Sequence, residues 1–247
     1  MAGTDRPAHI TKAEDLDGAK LEFMDFVAHE LKQPMTAIQG YARMLTMGIG
    51  GDLNDTQNEF VRVINANVER MSRLVNDLLE ISRLEAGRIE LKMADVLLRE
   101  VVEEVLNDAR TEIEARHHNL EVDISDNLRP AAGDRERIVQ VLKHLVSNAC
   151  RYTPDGGTLR ITAEESAGGD QLSISITDTG IGMSPQEVAR LGEKFFRGSH
   201  DLVQTQTGNG LGLPICQHLI SLHGGTLFVE SEPKQGSMVR ITLPAAP

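Results

Sequence analysis

The chain has 247 residues, 40% of them hydrophobic but only 3% aromatic and none Trp, so it is long enough for one large or two modest domains whose cores rest on Leu, Ile, Val and Met. A formal net charge of −12 excludes a general nucleic-acid binder, which needs a basic stripe to neutralise phosphates, but leaves room for ATP, whose charge a helix terminus and a few basic groups can handle locally. Cys150 and Cys216 form no CxxC pair and read as small core hydrophobes of a reducing, cytoplasmic setting.

Residues 1–20 are polar and mixed, and read as a linker or the end of a signalling helix. No apolar run reaches membrane-spanning length and no signal-peptide core opens the chain, so no membrane segment is expected within it; a sensor, membrane-anchored or not, would lie elsewhere. A helix is expected over about 21–47, with Phe23, Phe26, Glu30, Ala37, Tyr41 and Met44 on or near one stripe. Three glycines within 48–55 break the pattern. A second helix, about 56–86, carries Phe60, Ile64, Asn67, Met71, Leu74, Leu78 and Ile81 at alternating steps of four and three, a heptad seam. Val61, Val63, Val68, Val75 and Leu79 widen that seam beyond what one hairpin can cover, whereas two hairpins can cover it as the four-helix bundle of a homodimer.

From about residue 91 the pattern changes. A helix at about 95–117 precedes the alternating strand Leu120, Val122, Ile124; Asp134 caps a helix running to Tyr152; strands are expected at about 159–163, 171–178, 226–231 and 238–243. A glycine-rich stretch, 179–212, and a helix at about 214–223 lie between them. Without strict alternation of strand and helix, this half reads as an α+β two-layer sandwich with helices on one face of a mixed sheet.

Four local features carry chemistry. Leu172, Ile174 and Ile176 define one strand face and put Asp178 on that inward face, where a carboxylate needs a donor. The exocyclic amine of adenine would serve, and Gly180 and Gly182 would let backbone approach a flat ligand; a strand-end Asp capping its own turn is the plain alternative. On the helix before it, His144, Asn148 and Tyr152 form a polar stripe flanked by Arg151, either a solvated face or, since Asn is poor in mid-helix, a place for a hard cation such as Mg²⁺. Gly208, Asn209, Gly210, Leu211, Gly212, Leu213 and Pro214 open a helix whose free amides suit phosphate. His29 lies upstream of Pro34, a proline deep inside a helical pattern and expected to kink it.

Together these features resemble the histidine kinases of two-component systems. The resemblance runs from about Leu21 to Leu243 through a histidine box (His29 to Pro34), an asparagine box (Leu142 to Pro154), a first glycine box (Asp178 to Met183), a phenylalanine box (Glu193 to Arg197) and a second glycine box (Gly208 to Leu213). It implies a dimerisation and histidine-phosphotransfer domain over 21–88 and an ATP-binding domain over 92–244 of the kind shared with gyrase, Hsp90 and MutL. It implies ATP and Mg²⁺ as ligands, with Asn148 on the metal, Asp178 on adenine, Arg151, Tyr152, Gly180, Gly182, Gly208, Gly210, Leu211, Gly212 and Leu213 around the nucleotide, and a mobile lid over about 184–210. Arg197 would approach the terminal phosphate, His29 would attack with Glu30 as base, and the phosphoryl group would pass to an aspartate of a response-regulator receiver domain.

Two positions depart from the family pattern. His144 stands where the family usually has Asn, and Gln33 stands where Thr or Asn is frequent at a position linked to phosphatase activity. Gyrase- or Hsp90-type ATPases carry a water-activating Glu at the place of His144, so that rival reading lacks its base; a partner-binding scaffold without catalysis would not need the nucleotide motifs.

Overall fold

The computed structural model describes residues 8–247 other than 167 and 207, with side chains described from residue 21. The chain divides into two compact units that meet in sequence at Ile89 and Glu90, each described here by itself.

The first unit is a helical hairpin. Helix α1 runs Ala8–Thr46 and helix α2 runs Asp55–Glu85. The helix expected from residue 21 therefore already exists at Ala8, while residues 1–7, part of the stretch read as a linker, lie outside the described residues. Pro34 sits inside α1 without ending it, and its missing N–H leaves the carbonyl of Glu30 without a helical donor. Asn54 starts α2 through a capping box: its side chain accepts from the Gln57 amide at 2.9 Å, and the Gln57 side chain accepts from the Asn54 amide at 2.9 Å. Within the hairpin α1 buries Leu21, Ala28, Met35 and Ala42, spaced by seven, and α2 buries Val61, Val68, Leu79, Ile81 and Leu84. Val61, Val68, Leu79 and Ile81 belong to the apolar seam foreseen on α2, but most of the foreseen stripe is not buried within the chain. Phe23, Phe26, Tyr41, Met44, Phe60, Ile64 and Met71 are exposed in the single chain, Tyr41 to 71%.

The second unit is the expected α+β two-layer sandwich. Its elements are β1 (Ala94–Val96), α3 (Leu98–Ala115), β2 (Asn119–Ile124), β3 (Ala131–Gly133), α4 (Arg135–Tyr152), β4 (Thr158–Glu165), β5 (Gln171–Asp178), the short helices α5 (Pro185–Val188) and α6 (Asp201–Thr205), α7 (Gly212–Leu222), β6 (Leu227–Glu232) and β7 (Gly236–Pro244). The main sheet has the order β2-β4-β5-β7-β6; β2 runs parallel to β4 and the other neighbours pair antiparallel. A second, two-stranded ribbon joins β1 to β3. Alternation sets the inner face. Ile161 and Ala163 on β4, Leu172, Ile174 and Ile176 on β5, and Ile241 and Leu243 on β7 are buried. Val102 and Val105 of α3 and Leu142 and Val146 of α4 converge on Ile161 and Ile176.

Polar ties fix the two helices that flank the site. Asp134 accepts the Arg137 amide at the start of α4, and its other oxygen accepts the Lys92 amide at 2.9 Å. Buried His223, just past α7, accepts the Asp134 amide at 3.0 Å on Nε2 and donates from Nδ1 to the Leu219 carbonyl at 2.7 Å. At the other end of α4, Arg116 donates from Nη1 to the carbonyls of Cys150 and Thr153, each at 3.1 Å, meeting groups a helix leaves without internal partners. Cys150 and Cys216 are fully buried free thiols; burial pushes Cys150 up to about 11, and the Cys216 thiol lies 3.9 Å from the Val141 carbonyl.

Candidate active site

Asp178 ends β5 on the inner face and is only 8% exposed. Its Oδ1 accepts the Gly180 amide at 2.8 Å, so the carboxylate does cap its own turn. Desolvation pushes it up to about 6, and the amides of Gly180 and Ser237 only partly offset this. Capping therefore does not account for the residue: a neutral Asn would accept the same amide without the cost of burying a charge.

The glycines after Asp178 also serve the packing of the backbone. A Cβ on Gly180 would come within 2.5 Å of both Asp178 Oδ1 and the Tyr152 carbonyl, and one on Gly182, at φ +62°, would run into the Glu232 carbonyl. They allow close approach of protein backbone, which presses the Asp178 turn against the end of α4; the Ile181 amide donates to the Tyr152 carbonyl at 3.1 Å there. Gly180 and Gly182 thus have a framework role that holds Asp178 and Tyr152 together.

On α4, Ile138, Val141, Leu142, Leu145 and Ala149 form the buried face, as the pattern required. Asn148 is half-buried, and its amide has no hydrogen-bond partner among the described residues. A mid-helix Asn in that state is a donor and acceptor pair available to a ligand. His144 Nδ1 lies 3.3 Å from the Gln140 carbonyl, and its ring lies over the start of α7, where a Cβ on Gly212 would meet ring Cδ2 at 2.7 Å. Leu211 is fully buried, and its amide donates to Asn209 Oδ1 at 3.0 Å; the Gly210 carbonyl accepts from the Phe195 amide at 3.1 Å. At the first turn of α7, Gly212 and Leu213 offer amides that the helix itself cannot satisfy, and Pro214 has none to satisfy. Gly208 lies next to two predicted site residues, with its Cβ direction 3.9 Å from both the Tyr152 hydroxyl and Arg197 Nε.

The stretch 184–210 holds the two short helices and no strand among its described residues. Arg197 is part-buried: its Nη2 donates to the carbonyls of Val203 and Gln206, and its Nε is buried with no partner among the described residues. The Phe196 ring receives the Arg190 guanidinium at 4.2 Å. No group of three or more His, Cys, Asp or Glu suited to a metal exists among the described residues, so a cation here would depend on an amide oxygen, phosphate and water. Gyrase-like water activation finds no carboxylate at position 144.

In the hairpin, His29 is exposed on α1, and its Nε2 lies 3.1 Å from the Gln33 side-chain amide one turn on. Glu30 is exposed on a different face, and its side chain makes no hydrogen bond among the described residues.

Comparison with known proteins matches the two units separately. Residues 19–87 match the His Kinase A (phospho-acceptor) domain, and residues 133–247 match the histidine kinase-, DNA gyrase B-, and HSP90-like ATPase family. The chain belongs to the sensor histidine kinases. Over 236 residues it is 34% identical to the non-motile and phage-resistance protein of Caulobacter vibrioides, covering 94% of this chain and 28% of that one. It is 32% identical to the histidine protein kinase DivJ of the same organism, over 94% of this chain and 38% of that one. The crystal structure of full-length ShkA in complex with AMPPNP superposes with a TM-score of 0.77 at 29% identity, covering 92% of this chain and 46% of that one. The chain thus spans about a third of the length of these curated relatives.

For a histidine kinase, two features went unremarked in the sequence. Ser184-Pro185-Gln186-Glu187 is a capping-box signature, and Arg116 caps the helix that carries Asn148. The first could have been found by its spacing. The second depends on a contact between residues 34 to 37 apart and has no local signal.

Proposed function

We propose that the protein phosphorylates His29 from ATP and passes the phosphoryl group to an aspartate of a response-regulator receiver domain, acting as a homodimer through residues 21–88 with the nucleotide held by residues 92–244. The observation that carries this reading is the pairing, on one chain, of an exposed helical His29 with a nucleotide-domain fold whose Asp178 is buried at a cost that its own turn does not explain.

In this reading Asp178 accepts from the exocyclic amine of adenine. Arg151, Tyr152 and Gly208 line the nucleotide, and the α7 terminus, with Gly210 to Leu213, takes phosphate on free amides. Mg²⁺, when bound, neutralises phosphate charge, and Asn148 is the residue whose side-chain oxygen would hold it. An imidazole nitrogen of His29 forms a bond to the γ-phosphorus while the bond from that phosphorus to the ADP oxygen breaks; Glu30 takes the ring proton. Arg197 exchanges its carbonyl partners for the charge spread over the transferring group. The ShkA crystal structure, which holds AMPPNP, supports nucleotide binding by this fold. The exposed apolar stripe from Phe23 to Met71 supports the dimer.

The test is incubation with γ-labelled ATP. The label should be acid-labile and alkali-stable, as a phosphoramidate is, and absent from His29→Gln. Release of free phosphate without labelled protein would mean an ATPase, and neither product would mean a binding scaffold.

A further inference from the structure

We propose that Glu187 is a positioning residue for phosphoryl transfer, clasping the two ends of the segment 184–199 so that Arg197 is presented in one stance. Glu187 is the third residue of a four-residue helix, far too short to owe its stability to one cap. Its Oε2 nevertheless accepts from the Ser184 amide and the Ser184 hydroxyl, each at 2.9 Å. The other oxygen reaches twelve residues on: Oε1 accepts from the Ser199 amide at 3.0 Å and from the Ser199 hydroxyl at 3.1 Å. One carboxylate thus takes four donors, two from each end of a loop, and hydrogen bonds to a charged acceptor are the strong kind.

Arg197 lies two residues before the far anchor. Between them is Gly198, where a Cβ would come within 3.2 Å of Glu187 Oε1, and whose carbonyl accepts from Gln204 Nε2 at 2.8 Å. The same carboxylate therefore fixes the backbone just beyond Arg197 and, through Gly198 and Gln204, its distance from α6, so the point from which the guanidinium swings from the Val203 carbonyl to phosphate is set. The Ser199 and Ser184 donors hold Glu187 down at about 2, so it stays ionised across any working pH and has no part as an acid or base. Its contribution is geometric, and an error of about 1 Å in a reacting group can cost on the order of a hundredfold in rate.

The inference rests on the reading that Arg197 serves the terminal phosphate, and a double-mutant cycle separates the two. Initial rates of self-phosphorylation of the full chain are measured against ATP concentration for wild type, Glu187→Gln, Arg197→Ala and the double variant. Glu187→Gln should lower the maximal rate roughly tenfold to a hundredfold, with a much smaller change in the ATP concentration giving half that rate. In the Arg197→Ala background the same change should cost less than about twofold, because the group it positions is gone. A wild-type maximal rate in Glu187→Gln, or an equal loss in both backgrounds, overturns the proposal. A wild-type rate in Arg197→Ala overturns the reading of Arg197 instead. Should Glu187→Gln unfold at assay temperature, Ser199→Ala, which deletes one hydroxyl at an exposed residue, enters the same cycle; it should give a loss of several-fold that again disappears without Arg197, and a loss that persists overturns the proposal.

Discussion

The two halves of this chain finish their cores in different ways. The nucleotide-binding half closes around Leu98, Ile138, Leu142, Ile174, Leu219 and Ile241, all essentially without solvent exposure. The hairpin buries a narrow seven-residue repeat between its two helices and leaves Phe23, Phe26, Tyr41, Phe60, Ile64 and Met71 open. An amphipathic stripe predicts burial but does not name the partner. In the first case the partner is in the same chain, whereas in the hairpin the largest side chains stay exposed among the described residues.

Charge placed on the open face should break this contrast most visibly. Leu74→Glu with Leu78→Glu, at half-buried positions flanking the exposed stripe, should convert the protein to monomers in sedimentation at micromolar concentration, since a buried unpaired charge is costly. A wild-type chain that sediments as a monomer would end the dimer reading. Next in size, Leu142→Ala removes a fully buried side chain from the self-sufficient half and should cost about 2–5 kcal/mol. Its melting should be independent of protein concentration, unlike that of the hairpin.

Asp178 sharpens the comparison from inside the closed half. Its carboxyl rises from 3.8 to about 6 on folding, so the native state holds the proton more tightly than the unfolded chain. Stability from this group is highest below about pH 4, falls as pH rises through 4 to 6, and reaches a penalty of up to about 3 kcal/mol at neutral pH. Asp178→Asn should therefore raise the melting temperature of the nucleotide-free domain at pH 7 and leave it little changed at pH 4. Nucleotide affinity should fall at both. A variant less stable at pH 7 would show that the carboxylate is not under strain. The smallest effect is expected at the hairpin's turn: Asn54→Ala loses the capping box of α2 and should cost about 1 kcal/mol, read by denaturant titration.

Much of this architecture was legible because it is periodic. Alternation placed Asp178 on the inner face of its strand, and three- and four-residue steps picked out Ile138, Val141, Leu142, Leu145 and Ala149. The hairpin was legible as helices, and Val61, Val68, Leu79 and Ile81 of α2 stood in its apolar pattern, but the face that α1 uses within the chain was not legible: Leu21, Ala28, Met35 and Ala42 include two small residues that carry little hydrophobic signal beside Phe23 and Tyr41. The ribbon of β1 and β3 escaped because each strand has three residues and pairs across 35 to 39 positions of chain. In the candidate site the chemically distinctive residues stood out, while the packing role of Gly180 and Gly182 did not: conformational freedom marks a close approach, and the sequence alone does not show that the backbone at Tyr152 and Glu232 does the approaching.

The burial of both thiols has a practical consequence. Cys150 and Cys216 have no accessible surface, so neither thiol is open to a maleimide, and burial pushes the Cys150 thiol up to about 11 besides. The natural chain is then its own cysteine-free background. A single cysteine introduced at exposed Lys194 would be the one position to take a fluorophore, letting the stretch 184–210 be watched as nucleotide is added without first removing anything from the core.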